Sequence, residues 1–188
     1  MKRKLLDIST TRFGVNAKGM DKGPMALVQS SAINADGSIV VPYINRTEPS
    51  LITFKAEDLL RKDDVLFIGK GSINTAALWP GSAEDTVASS MLYVIRPNPD
   101  LILPAYLAAY LNSHPAKAQI ARYIKAGTVP VVSRQALNDL EIPVPSLAEQ
   151  RKLVQLADAV QRTKLHLNEL STSYAQLLDA VWATYPEP

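Results

Sequence analysis

Along the last third of this chain, apolar residues recur at alternating spacings of three and four. From Leu153 the series runs through Leu156, Val160, Thr163, Leu167, Leu170, Tyr174, Leu177 and Val181, and only Thr163 breaks its apolar character. That period is a heptad seam on a helix. The start of the helix is marked too: Pro145 stops the preceding element, and Ser146 with Glu149 has the S-x-x-E spacing of a capping box. The pattern predicts one helix from about Leu147 to about Ala183. At 1.5 Å per residue it is about 55 Å long, against an ordinary helix of about 11 or 12 residues. Such a helix serves as a strut or a dimerisation arm. The competing arrangement is a long amphipathic helix folded onto its own domain, for which a seam sustained this far is unusual. The residues flanking the seam are mostly small (Ala157, Ala159, Ser171, Ser173, Ala180), with Lys152, Lys164 and His166 as the polar ones. Charge pairing is therefore weak and close approach is allowed, which favours an antiparallel partner. Off the seam, Val154, Leu165 and Leu178 offer a second apolar surface.

Before the arm the period changes. Met25 to Ser30, Ser38 to Val41, Ser50 to Phe54, Val65 to Ile68, Ile73 to Trp79 and Ser89 to Ile95 are short β-branched or apolar runs. They are separated by Gly23-Pro24, Asp36-Gly37, Pro42, Glu48-Pro49, Gly69 to Gly71 and Pro80-Gly81. These predict short strands in a curved antiparallel sheet or partial barrel, with a helical turn at Lys55 to Leu60. After Arg96-Pro97-Asn98-Pro99 the signal becomes helical. Pro104 opens a helix carrying Tyr106, Leu107, Tyr110 and Leu111, and a second is expected from Ala116 to Ala126, ended by Gly127. Ser133 caps a short helix to Asn138, and Leu140 to Ile142 returns as a strand. The fold class expected is α+β, a β-rich domain over residues 1–145 followed by the arm over residues 146–188.

Composition narrows the function classes. The chain is 47% apolar and 20% charged, enough to bury a core, and it has no cysteine, so neither a disulfide framework nor a thiolate metal site can form. Its N-terminal MKRKLLDIST has no apolar run behind the basic residues, and the uncharged run from Leu101 is too short to span a bilayer. A cytoplasmic protein without membrane insertion is expected. The net charge of +2 is small, and only the clustering of Lys2, Arg3, Lys4, Arg12, Lys18 and Lys22, and of Arg122, Lys125 and Arg134, points to a polyanion.

Catalytic patterns are scarce. Gly69-Lys70-Gly71-Ser72 echoes a phosphate loop without its glycine spacing. His114 and His166 lie far apart with no carboxylates at ligand spacing, so no metal site is expected. Asp63-Asp64 and Glu84-Asp85 are adjacent pairs of the kind found solvated in turns. By contrast, Gln29-Ser30-Ser31, Asn34, Asn45-Arg46, Lys70 to Thr75 and Lys125 to Thr128 place amides, hydroxyls and cations next to turns, where side chains can enter a DNA groove.

One family shares this order of motifs. RKDDVLFIGKG, then ASSMLYVIRP, LPAYLAAYLNS, and AGTVPVVSRQALNDLEIPVPSLAEQ leading into a heptad helix, resembles the DNA-specificity (S) subunit of type I restriction-modification systems. In that family each target-recognition domain reads one half of a split DNA sequence, and long antiparallel helices set the spacing and dock the methyltransferase subunits. Family members usually carry two recognition domains and two helices; this chain has one of each, like a half subunit. The resemblance implies a non-catalytic subunit that binds double-stranded DNA, a DNA methyltransferase (M) subunit and a restriction (R) subunit. It implies no cofactor of its own, since S-adenosylmethionine would belong to the methyltransferase. A half subunit implies a homodimer reading a split palindrome, its arms paired through Leu153, Leu156, Val160, Leu167, Leu170, Tyr174, Leu177 and Val181. Base contacts are expected from Ser30, Ser31, Asn34, Lys70, Ser72, Asn74, Lys125 and Thr128, and phosphate contacts from Arg12, Lys18, Arg46 and Arg134. The alternative is a protein-interaction or anti-restriction module with the same fold and no sequence-specific DNA binding.

Overall fold

A computed structural model describes residues 1–71, 73–124 and 130–185. Nine strands and four α-helices are defined among them: β1 (Lys2–Lys4), β2 (Ser9–Phe13), β3 (Met25–Val28), β4 (Asn45–Thr47), β5 (Val65–Ile68), β6 (Ala76–Leu78), β7 (Thr86–Ala88), β8 (Leu92–Pro97), α1 (Pro104–Leu111), α2 (His114–Ala121), α3 (Arg134–Asn138), β9 (Glu141–Pro143) and α4 (Leu147–Ala183). The class is α+β. The strands form three open sheets, ordered β1-β9, β2-β8-β5-β6 and β4-β3-β7. All pairs are antiparallel except β3 with β7.

The four-stranded sheet is the centre of the fold because β5 is apolar at every position. Strand side chains alternate between faces. Val65 and Phe67 join Tyr93 and Ile95 of β8 under a layer of helix residues including Leu107, Leu111, Ile120 and Leu137. Leu66 and Ile68 face the other way with Leu92 and Val94, where Val28, Ile33 and Trp79 cover them. A strand buried on both faces reads as an unbroken apolar run. Each fully buried side chain here, such as Phe67 or Leu66, contributes about 1.5–3 kcal/mol.

Several expected elements take other forms. The run Ser38 to Val41 is not a strand but a single bridge, Ile33 to Ile39, followed by a 3-10 turn at Val41–Tyr43. Ser50 to Phe54 gives way to a 3-10 turn at Pro49–Leu51. In both, proline occupies the turn and removes a donor that a ladder would need. The helix expected from Ala116 to Ala126 instead starts at His114, capped by the Ser133-like Ser113, and ends at Ala121; Gly127 lies outside the described residues. β8 begins at Leu92, three positions later than expected, because Ser89 and Leu92 close a turn (Leu92 N–H to Ser89 O, 2.9 Å).

The arm runs from Leu147 to Ala183. Its capping box forms, with Glu149 N–H donating to Ser146 Oγ (3.3 Å) and Ser146 N–H donating to Glu149 Oε2 (3.0 Å). Gln150, fully buried, joins it to the domain: its Oε1 accepts Leu103 N–H (2.8 Å), and its Nε2 donates to Leu101 O (3.1 Å) and Pro145 O (2.9 Å). Val154, Ala157 and Gln161 continue that half-covered stripe, and from Arg162 to Tyr185 every residue is exposed. Val154 packs on the domain core and so is not part of a second partner surface. Among the described residues, no helix is long and apolar enough to cross a membrane.

Candidate nucleic-acid interface

Strand polarity gathers a set of loops at one end of the two larger sheets. β2 ends at Phe13 and β5 at Ile68, both beside the start of β8, while β6 begins at Ala76 opposite Phe67. In the neighbouring sheet β3 and β7 run parallel and end together at Val28 and Ala88, and β4 begins there at Asn45 opposite Leu27. Backbone bonds tie these ends to one another: Ser89 N–H to Val28 O (2.8 Å), Gly14 N–H to Leu92 O (2.9 Å) and Gly69 N–H to Met91 O (3.2 Å). The segments after Phe13, Val28, Ile68 and Ala88 therefore share one rim.

The segment around Pro130 to Val132 is strapped across this rim. Gly71 N–H donates to Pro130 O and Val132 N–H to Gly69 O, both 2.9 Å, and Lys70 bridges Val131. Tyr93 fixes the strap, since its hydroxyl donates to Val132 O (2.7 Å) while its ring packs on Phe13, tilted by 35° with centroids 4.5 Å apart. The same ring explains Gly69: a Cβ there would sit 2.3 Å from Tyr93 Cε2. Burial raises the Tyr93 phenol above its ordinary range, and the Arg134 charge pulls the other way; Arg134 follows Val132 of the strap by two residues.

The candidate residues separate into groups. Lys70 and Asn74 lie in the β5–β6 loop, with Asn74 Nδ2 closing it onto Ile68 O (3.0 Å). Ser30 and Ser31 form the 3-10 turn after β3. Lys18 is exposed in the stretch between the Val15–Ser89 and Met20–Arg46 bridges, next to Gly19, and Arg134 is exposed at the start of α3. The rim thus brings Lys18, Ser30, Ser31, Lys70, Asn74 and Arg134 together. Asn34 follows Ser30 and Ser31 in a turn where its amide donates to Ser38 Oγ (2.8 Å). Gly37 of that turn seats against Ala76 O and the Asn112 side chain. Ser72, Lys125 and Thr128 lie outside the described residues.

Arg12 and Arg46 are engaged within the fold, towards the far end of the sheets. Arg12 Nη2 donates to Leu59 O (3.4 Å), and its Nε lies 3.8 Å from Asp58 Oδ1. Beside it Arg96 makes a two-pronged pair with Asp64, 2.7 Å at each oxygen. Asp64 is only 1% exposed, so the expectation that the Asp63-Asp64 pair is solvated fails at Asp64. A buried carboxylate needs such a fork, and the arginine supplies it. Arg46 donates from Nε to Gly23 O (2.8 Å) and from Nη1 to Glu84 Oε2 (2.7 Å). A phosphate contact from either arginine competes with these bonds.

Other rim residues are not among the expected base and phosphate contacts, although Gln29 and Asn45 belong to the polar stretches the sequence places next to turns. Gln29 and Asn45 orient each other, the Asn45 amide donating to Gln29 Oε1, with Gly19 packed against both. Paired amides suit the adenine edge in a major groove. Phe13, Met91 and Ile73 keep 45%, 39% and 54% of their surface exposed at the same rim, where apolar groups can meet a thymine methyl. The signal that locates them is a strand ending at glycine or a polar turn, which becomes a shared rim only after the strand order is known. Among the described residues no group of three His, Asp or Glu is arranged to hold a metal ion.

The arm leaves the domain on the rim's side. At its base Arg151, Val154 and Gln155 lie near Asp63, Leu103 and Pro104. Further along, Ala157, Val160, Gln161 and Lys164 lie near Asp36, Ala76, Asn112 and Ser113. Asn112 Oδ1 accepts Ala76 N–H (2.8 Å) at the start of β6, so this second set is level with the rim. Beyond it the seam is open, with Leu167 59%, Leu170 54%, Tyr174 69% and Leu177 61% exposed.

Comparison with known proteins agrees with this architecture. A chain from a study of the complex assembly and conformational transition of the type I R-M system superposes with a TM-score of 0.71 at 21% identity, over 100% of this chain and 50% of the other. The HsdS subunit of Thermoanaerobacter tengcongensis gives 0.68 at 21% identity with the same coverages, and the type I S subunit of M. genitalium gives 0.60 at 14% over 96% and 44%. A protein of Methanocaldococcus jannaschii bearing the name of the type I restriction enzyme MjaX specificity subunit is 29% identical over 165 residues, 82% of this chain and 37% of that protein. The chain thus spans half or less of the length of these relatives. Residues 22–173 match the family described as the type I restriction modification DNA specificity domain, and the chain belongs to that family.

Proposed function

We propose that this chain is a non-catalytic, sequence-specific DNA-recognition subunit, with residues 1–145 as a target-recognition domain and residues 146–188 as a dimerisation and spacer arm. Two copies pair their arms, present two identical rims to a palindrome split by a nonspecific spacer, and dock methyltransferase subunits. Methyl transfer from S-adenosylmethionine and cleavage belong to those methyltransferase and restriction partners, acting together in the cytoplasm.

The observation that carries this reading is the rim. Strand polarity and the Tyr93–Val132 strap bring Lys70, Asn74, Ser30, Ser31, Lys18 and Arg134 to one end of the sheets. Lys18 and Arg134 serve the phosphates and position the domain, while Lys70, Asn74 and the serine hydroxyls read base edges. The exposed seam supports the pairing of arms.

The test is selection from a pool of random-sequence duplexes by the purified chain with its methyltransferase subunit, at one fixed salt concentration. Enrichment of two inverted half-sites, lost on Lys70→Ala with Asn74→Ala, is expected. A pool that stays random with the complete complex would contradict sequence reading and favour a protein-interaction role.

A further inference from the structure

The arm's open seam specifies its pairing register. Counting the heptad from Leu153, Leu153, Val160, Leu167, Tyr174 and Val181 occupy one core position and Leu156, Thr163, Leu170 and Leu177 the other. In the first set Leu167 and Tyr174 keep more than half their surface exposed and the other three nearly half, and Leu156, Leu170 and Leu177 of the second set keep more than half. The helix face used on the domain is different, running through Gln150, Val154, Ala157 and Gln161. Docking to the domain therefore leaves the seam available.

When two such helices pair antiparallel, each layer sets one core position against the other. Two registers, one heptad apart, engage nearly the whole seam. In the first, Leu153 faces Leu177, Leu156 faces Tyr174, Val160 faces Leu170 and Thr163 faces Leu167. That arrangement brings Lys164 beside Lys164 and His166 beside His166 at the two-fold axis. It sets Glu149, held in the capping box, against Val181, and it directs Leu178 at Gln150, which the arm's own domain already covers.

We infer that the arm pairs with the arm of a second copy in the other register: Leu156 against Val181, Val160 against Leu177, Thr163 against Tyr174 and Leu167 against Leu170, with the two-fold axis between Asn168 and Glu169. This rests on the reading that the arms dimerise. Here Lys164 faces Ser171, His166 faces Ser173 and Ala159 faces Ala180, so no like charges meet. The two hydroxyl-bearing seam residues share a layer, and Thr163 already donates to Ala159 O (3.0 Å), which leaves its methyl for the core. Leu178, off the seam, falls beside Ala157 at a hollow of about 330 Å³ between α1 and α4, walled by Ala105, Ala108 and Ala109. The cost is at the end, where Leu153 meets Thr184.

The register also sets a distance. From the middle of the docked stripe to the axis is about 13 residues, so the two stripes lie about 40 Å apart along the arms. One turn of B-DNA is about 34–36 Å, which places the two recognition domains slightly more than one turn apart.

The chain has no cysteine, so introduced cysteines report alone. Full-length Leu167→Cys and Leu170→Cys chains, carrying tags of different size, are mixed under mild oxidation, with the mass of each sample measured by light scattering. A disulfide needs Cα atoms within about 7 Å. A covalent heterodimer from this mixture, and none from either variant alone, is the expected result. Cross-linking of Leu167→Cys with Thr163→Cys instead would establish the other register, and self-linking of Leu167→Cys a parallel pair; either overturns the inference. Dimer mass with no cross-link in the Leu167→Cys and Leu170→Cys mixture overturns the register while dimerisation stands. Monomer mass with every variant and with the unaltered chain overturns dimerisation itself.

Discussion

Lys70 and Arg12 carry the same charge, but their surroundings differ. Arg12 is drawn inward beside Asp58, Asp64 and Leu59 O, whereas among the ion pairs of the described residues Lys70 takes no part. Arg12→Ala should therefore cost about 1–3 kcal/mol of stability, because it strips partners from buried acceptors. Lys70→Ala should stay within about 0.5 kcal/mol but weaken DNA binding and lower the salt slope by about one. Urea unfolding and binding across a salt series check the pair; an exchange of the two phenotypes would show that the residues are assigned the wrong way round. Gln150 tests the joint between domain and arm. Gln150→Leu fills the same space but strands Leu103 N–H and two carbonyls, and a loss of about 2–4 kcal/mol is expected in urea unfolding. Unchanged stability would mean that these bonds contribute little.

Among the elements, α4 was legible from sequence because its signals are local. A capping box and a seam are read from neighbours three and four positions away, and the helix begins and ends where they say. β5 and the openings of α1 and α3 were legible for the same reason. The polar strands were not. Lys2–Lys4, Ser9–Phe13 and Asn45–Thr47 have no apolar alternation of their own and exist because distant partners, Glu141–Pro143, β8 and β3, supply a ladder. The rim depends on that pairing, so its polar turns could be named in advance but not grouped, and Arg12 and Arg46 could not be told from surface cations. The capping box makes a prediction of its own. Hydrogen bonds from Ser146, first its hydroxyl and then its N–H, hold the Glu149 carboxyl below its ordinary 4.5. A lowered acid stabilises the folded form above its ordinary value, and that stabilisation is lost as pH falls through the lowered one. The Ser146 amide resonance should accordingly titrate with a midpoint below 4.5 and not in Glu149→Ala. A midpoint at or above that value would mean the box is open in solution.

For the whole molecule, the fold places its two open surfaces on the same side. The rim lies at one end of the sheets, and the arm emerges level with it, past Asn112 and Ala76. In the proposed dimer a second copy paired along the seam would present a second rim at a distance set by the arm, and duplex binding would become bivalent. Linking two sites this way raises affinity by about 10²–10⁴ without any new contact, provided the spacing fits. The measurement that tests this most directly compares, at one salt concentration and with methyltransferase subunit present, the affinity for a selected duplex and for a duplex carrying one half-site. The unaltered chain is expected to favour the full site by about 10²-fold or more. Leu167→Glu, with a charge at the centre of the seam, should bind both duplexes alike, near the half-site affinity. Equal affinity of the unaltered chain for both duplexes, or a preference that Leu167→Glu retains, would contradict a reader built from two rims joined by the arm.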